Sequence, residues 1–176
     1  MITLKIDALQ NEVLSTLRET VSKPTFRGNR GHRTKLLKKA LCRLGHEKRY
    51  ATYASGTMRA KTDFHEWLWD LVWAKQSKKK FRESGYQAVI KLRLITEMEW
   101  GVSEAERMDD FEKLRFGVAD LRLFICGSED KKDAKKALHL CRDRLCRLAG
   151  KSKARYLLVA INRSTNNLDG YRGWSW

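Results

Sequence analysis

One proline, Pro24, stands in the whole chain, and no repeat or low-complexity segment interrupts it. With 176 residues and 42% hydrophobic content, that scarcity excludes a disordered or fibrous protein and leaves enough apolar material for one packed core. No apolar run approaches the roughly 20 residues that a membrane-crossing helix requires, and "MITLKIDALQ" lacks the layout of a signal peptide. A soluble, cytoplasmic protein with no membrane partner is therefore expected. Cysteine is sparse: Cys42, Cys126, Cys141 and Cys146 include no CxxC pair, so no zinc site is patterned and the thiols read as core or surface residues. Negative charge is the largest deficit, with 21 Asp and Glu against 37 Lys and Arg, a formal net charge of +16 and a pI near 9.9. Such an excess attracts polyanions, of which phosphate backbones are the commonest, although basic surfaces also serve solubility alone.

What is present falls into alternating elements. "IDALQNEVLSTLRETVS" has Leu9, Val13, Leu14 and Leu17 at helical spacing, and Pro24 with "RGNRG" ends it, so residues 1–26 read as a helical arm and 27–176 as the main domain. Between Ser22 and Tyr50 ten Lys or Arg meet one acid, Glu47. Thr34 is expected to cap a helix through "KLLKKALCRL" that closes at Gly45, and Arg27, Arg30, Arg33, Lys35, Lys38 and Lys39 become candidate phosphate contacts. The plainer alternative is a solvated basic face. Strands are expected at "RYATYAS", "DFHEWLWDLVWAK", "YQAVIKLRLITEMEW", "DLRLFICGS" and "ARYLLVAIN". Helices are expected at "DDFEKLRFGV", with Asp109 or Asp110 near its start, and at "KKDAKKALHLCRDRLCRLAG", where Ala134, Ala137, Leu138, Cys141, Leu145 and Leu148 share a stripe. The tail "RSTNNLDGYRGWSW" is read as polar and aromatic, burying against its own domain or serving bases or a second copy of the chain in a homodimer. This order implies an α/β fold, a mixed β-sheet with helices on both faces and an extra N-terminal helix.

Chemistry concentrates in "LITEMEWG". Residues two apart on a strand share a face, so Glu97 and Glu99 point together with Ile95, Arg93 and Lys91, while Leu94, Thr96, Met98 and Trp100 point opposite. The preceding strand carries Asp70 among apolar neighbours, with Trp67, Trp69, Leu71 and Trp73 on its other side. If the two strands are adjacent, Asp70 and Glu97 converge within reach of one divalent cation, which could polarise a phosphoryl oxygen and acidify a bound water. The alternative is structural ion pairing with Lys91 or Arg93. From Leu94 to Glu112 seven acids face only Arg107, and Glu104, Glu106 and Asp109 are assigned to a solvated loop.

An acid in one strand, followed near the end of the next by an acid, one residue and a third polar side chain, resembles the PD-(D/E)xK nucleases, the restriction-endonuclease-like superfamily. The order α-β-β-β-α-β from about Thr34 to Cys126 is similar to that superfamily's core. The resemblance implies a metal-dependent endonuclease acting on DNA with Mg2+ or Mn2+, with Asp70 and Glu97 as ligands and Glu99 where lysine is usual. It implies a further acid at Glu47, and it makes Lys113 the candidate for a lysine moved to a neighbouring element. Trp69 stands where the motif has proline. A nucleic-acid-binding protein that keeps this fold without cleaving is the alternative, supported by Glu99 in place of lysine, and RNA is a further substrate class.

Overall fold

Local signals set where the helices begin. In the computed structural model, which describes residues 7–54, 68–80, 87–101, 103–148 and 155–175, Asp7 and Gln10 form a reciprocal capping box. It opens helix α1 (Ala8–Ser22): each residue's backbone N–H donates to the other's side-chain oxygen at 2.9 Å. Helix α2 (Arg30–Glu47) starts at Asn29, whose Oδ1 accepts from the His32 N–H at 2.9 Å. That is five residues ahead of the expected cap, because Thr34 already lies within the helix and its hydroxyl donates to the Arg30 carbonyl. Gly45 does not close α2 either. It is required for contact, since a Cβ there would lie 2.6 Å from Thr52 Cγ2 and 2.8 Å from Trp73 Nε1. Helix α3 (Glu104–Phe116) begins at Ser103, which accepts from the Glu106 N–H and donates to the Glu106 carboxylate. Glu104, Glu106 and Asp109 are therefore helical, in a segment expected to be loop, because a Ser-x-x-Glu box outweighs the run of acids.

Six strands form one mixed sheet in chain order: β1 (Ala51–Ala54), β2 (Leu71–Lys80), β3 (Gln87–Glu99), β4 (Ala119–Ser128), β5 (Arg155–Asn162) and β6 (Leu168–Ser175). β1–β2–β3 is an antiparallel meander, β3–β4 and β4–β5 are parallel, and β5–β6 is antiparallel. The two parallel joins cross over through α3 and through α4 (Lys131–Leu148), and both helices pack on one face. Phe111 and Leu114 of α3, and Ala134, Ala137, Leu138, Cys141 and Leu145 of α4, meet Val72, Ile95, Phe124, Tyr156 and Leu158 there. On the other face Val13, Leu14, Leu17 and Val21 of α1 join Leu37 and Leu41 of α2 against Leu71, Trp73, Leu94, Met98, Leu121, Leu123 and Val159. The helix read from sequence as an arm thus contributes to the common core. The fold is an α/β sandwich, with its helices in two layers.

The tail supplies the strand that the sequence pattern concealed. β6 pairs with β5 from Arg155↔Ser175 to Ile161↔Leu168, burying Trp174 while leaving Tyr171 exposed beneath the Arg18 guanidinium. Gly170 and Gly173 masked it, because glycine weakens β-propensity even where a partner strand supplies the ladder. β2 begins only at Leu71, and the expected residues 63–67 of that strand lie outside the described residues. Trp69 consequently leaves the Leu71/Trp73 face and packs toward α3, donating to the Lys113 carbonyl at 3.2 Å. Val118, expected inside the helix over "DDFEKLRFGV", lies beyond it and is exposed, since Gly117 ends α3 before it.

Candidate active site

The register of the β2–β3 pair decides which carboxylates meet. Leu71 pairs with Thr96, so the next step outward along the ladder places Asp70 opposite Glu97. Asp70 sits just beyond the end of β2, where its Oδ2 accepts from the Met98 N–H at 2.9 Å and takes the place of a missing strand partner. Its Oδ1 holds the Lys38 ammonium at 2.7 Å, and Lys38 is buried. Lys91 and Arg93, the expected alternative partners, both pair with Asp120 instead, near the other end of β3.

Glu97 is 3% exposed, and its Oε1 has no hydrogen-bond partner among the described residues. Burial first, then the Asp70 charge, pushes its carboxyl up to about 8, with Lys113 and Lys38 opposing the rise and Asp110 adding to it. The side chain therefore carries a proton at neutral pH. Glu99, one step along the same face, accepts from the Gly101 N–H and shares a hydrogen bond with the Asp110 carboxyl. Its pKa is also raised, chiefly by desolvation, with the carboxyl groups of Asp110 and Glu106 contributing.

Helix α3 covers this strand end. Phe111 and Leu114 anchor it in the core, while Asp110 and Lys113, three residues apart, form an ion pair at 2.5 Å on its flank. Lys113 points off the core stripe, as its angular position requires, yet its long stem leaves the ammonium close enough for Asp110, Glu97 and Asp70 to raise its pKa. Arg107 fixes the turn that follows Glu99: its buried guanidinium donates to the carbonyls of Gly101 and Gly127 and pairs with Asp133 at 2.7 Å.

Asp70, Glu97, Glu99 and Lys113, chosen from sequence, are thus brought together. Glu47 is not. It lies nine residues beyond Lys38 on α2, about 14 Å along the axis, exposed and 3.7 Å from Arg43. Two members escaped the sequence reading. By pattern Asp110 reads only as a helix cap and Lys38 only as a phosphate contact, although Lys38 is withdrawn against Asp70. A lysine on the apolar stripe of α2, one residue from Leu37 and three from Leu41, was the signal for burial. Arg27, Arg30, Lys35 and Lys39 remain exposed and Arg33 is half-buried. Cys42, Cys126, Cys141 and Cys146 are all free thiols.

Charge summarises the site. Four carboxyls, from Asp70, Glu97, Glu99 and Asp110, face two ammonium groups, from Lys38 and Lys113. Two negative charges stand in excess when all are ionised, and burial, with the neighbouring carboxyls adding to it, raises the pKa of both Glu97 and Glu99. No family model, curated protein or solved structure matches the chain.

Proposed function

We propose that the cluster at the end of β3 is the active site of a divalent-metal-dependent endonuclease that hydrolyses DNA phosphodiester bonds in a restriction-endonuclease-like fold. The observation that carries this reading is the approach of Asp70 to Glu97 just beyond the β2–β3 ladder, where the buried Glu97 Oε1 lacks a partner, in a carboxylate cluster two charges short of cations. Hard oxygen donors with that imbalance suit Mg2+ or Mn2+. Among the described residues no group of three or more acidic, histidine or cysteine side chains is placed to hold a metal ion. Mg2+ does not need such a group, because it commonly binds through one or two carboxylates and completes its shell with water and substrate phosphate.

In this reading Asp70 and Glu97 hold the metal, which supplies polarisation of the phosphoryl oxygen and a more acidic water. Lys38 and the Met98 N–H fix both oxygens of Asp70, so its geometry is preorganised. Lys113 keeps a positive charge beside the carboxylates, where a phosphate with developing negative charge is attracted. Burial raises the pKa of Glu99, which favours its uncharged form and limits the repulsion that an incoming phosphate meets. The chain's excess of basic residues favours a polyanionic substrate.

Purified protein should nick or linearise plasmid DNA with Mg2+ and not in chelator, and folded Asp70→Ala and Glu97→Ala variants should be inactive. Activity at the parent rate in either variant sinks the assignment. A readout independent of turnover is thermal shift: Mg2+ should raise Tm, more at pH 8 than at pH 6 because Glu97 must release its proton, and not in Glu97→Gln. The ion pairs Lys38–Asp70 and Lys113–Asp110 favour a second reading, a DNA-binding protein with a neutralised, non-catalytic site. That reading is selected if DNA binds and neither Mg2+ nor Mn2+ yields cleavage or a shift in Tm.

A further inference from the structure

The residue after Glu99 carries a second feature. Trp100 is held by α2 through its indole N–H, which donates to Thr34 Oγ1 at 2.8 Å, and the Arg33 guanidinium lies over its ring with Cζ 5.9 Å from the centroid. Arg163, in the β5–β6 turn, directs Nη1 to the Trp100 carbonyl at 3.5 Å. The turn is rigid: Asn162 Oδ1 accepts the N–H groups of Ser164 and Thr165, its amide donates to the Glu129 carbonyl, and the Arg163 N–H donates to the Ser128 carbonyl at 2.8 Å. The Arg163 stem crosses the end of β4 only because residue 127 is glycine, where a Cβ would lie 3.0 Å from Arg163 Cδ and from the Trp100 oxygen.

One guanidinium thus lies over the Trp100 ring and a second against its carbonyl, with too little negative charge between them. Arg163 has Glu129 at 2.9 Å, an exposed partner of small energetic weight. Arg33 makes no side-chain hydrogen bond or ion pair among the described residues, and the Nε donors of both arginines are buried without partners. Burial, and then the charge of Arg163, lower the Arg33 pKa. Like charges and unsatisfied donors in a half-buried site are costly unless an anion arrives to meet them. Planar guanidinium forks suit phosphate, which each can bind through two N–H groups.

We propose that Arg33 and Arg163 form a clamp for one backbone phosphate of the nucleic acid, next to the scissile phosphate that a metal at Asp70 and Glu97 would hold. The role as a flanking-phosphate site rests on the nuclease reading above; the anion site itself does not. Trp100 directly follows Glu99, so the clamp positions the strand relative to the carboxylates and gives the enzyme a requirement for substrate extending beyond the cleaved bond.

The test measures binding of a short DNA duplex in chelator, by anisotropy over roughly 50–200 mM salt, so that cleavage does not enter. Arg33→Gln and Arg163→Gln should each weaken binding about tenfold. Because both grip one phosphate, the double variant should lose little more, and the slope of log K against log salt should fall by about 1. Arg33→Lys and Arg163→Lys should keep the slope while losing affinity. Inorganic phosphate should raise the Tm of the parent but not of the double variant, whose own Tm should match or exceed the parent's as repulsion is relieved. Parent-like affinity and slope in the double variant, a phosphate shift that persists in it, or a parent that binds no DNA overturns the clamp. A lowered Tm with unchanged slope marks a purely structural pair and also overturns it. A parent that binds through the clamp but never cleaves refutes only the catalytic reading.

Discussion

Glu97 joins burial, charge and pH at one residue. Its carboxyl, ordinarily near 4.5, is raised to about 8 in the fold, so below 4.5 it is protonated in both folded and unfolded chains and its contribution to stability is fully present. As pH rises from 4.5 through 8 the unfolded chain gives up this proton more readily, and that stability is lost. Glutamine at 97 never ionises. In chelator, Glu97→Gln should therefore match the parent near pH 4 and exceed it by pH 8, by on the order of 4 kcal/mol, or roughly 10 °C in Tm. Melting curves at several pH values check this, and a constant gap would show that Glu97 does not titrate in this window. Lys113 presents the complementary case. Its side chain is 44% exposed and paired within one helix, so Lys113→Ala should leave Tm within about 1 °C while lowering cleavage about 100-fold, the loss expected when one charge-stabilising donor leaves an active site. Near-parent turnover would instead leave Glu99 to act without a lysine.

At the level of elements, the site depends on how α3 is seated on the end of β3. Gly117 ends α3 where a Cβ would approach Ile95 Cδ1 to 2.3 Å and Trp69 Cζ2 to 2.6 Å. Gly117→Ala should destabilise by about 2 kcal/mol through overpacking and should also slow cleavage, since Trp69 holds the Lys113 carbonyl. Loss of stability without change in turnover would detach this packing from the site. Lys38 tests the other helix layer. Lys38→Ala leaves Asp70 without its ammonium partner, so Tm should fall by an amount equivalent to about 2 kcal/mol. Replacing the exposed Lys35 and Lys39 should leave Tm unchanged and weaken binding of all DNA sequences alike. Two outcomes in the same helix would then separate a buried lysine from its solvated neighbours, and equal DNA-binding losses with equal Tm would contradict that division.

Across the molecule, positive charge is concentrated in two stretches of sequence. Ten basic residues lie between Ser22 and Tyr50 and another ten between Asp130 and Tyr156, so DNA affinity should drop steeply between low and moderate salt. Binding that barely changes over that range would remove phosphate recognition from these basic segments. The sheet accounts for how opposite charges coexist so closely. Parallel β3 and β4 set the acids at one strand end, the rigid β5–β6 turn brings Arg163 beside them, and α2 supplies both Lys38 and Arg33, little more than one helical turn apart. No helix among the described residues is long and apolar enough to cross a membrane.

Much of this architecture follows from residue pattern alone. Apolar periodicity identifies α1 and α4, branched and aromatic runs identify β3, β4 and β5, and alternation along β3 places Glu97 and Glu99 on one face. These are local properties, set by the 3.6- and two-residue periods of the backbone. The Ser103–Glu106 box was equally local and legible, although the surrounding acids obscured it. Pairing is not local. That Leu71 meets Thr96, and so brings Asp70 to Glu97, depends on strand register; that Glu47 is carried away from the cluster depends on the direction of α2. The withdrawal of Lys38 against Asp70, the approach of Lys113 to Glu97 and the convergence of Arg33 and Arg163 on Trp100 join helices, strands and turns that approach only in the folded chain. Only tertiary structure decided them, because long-range charge and burial depend on distance through space, which periodicity along the chain does not encode.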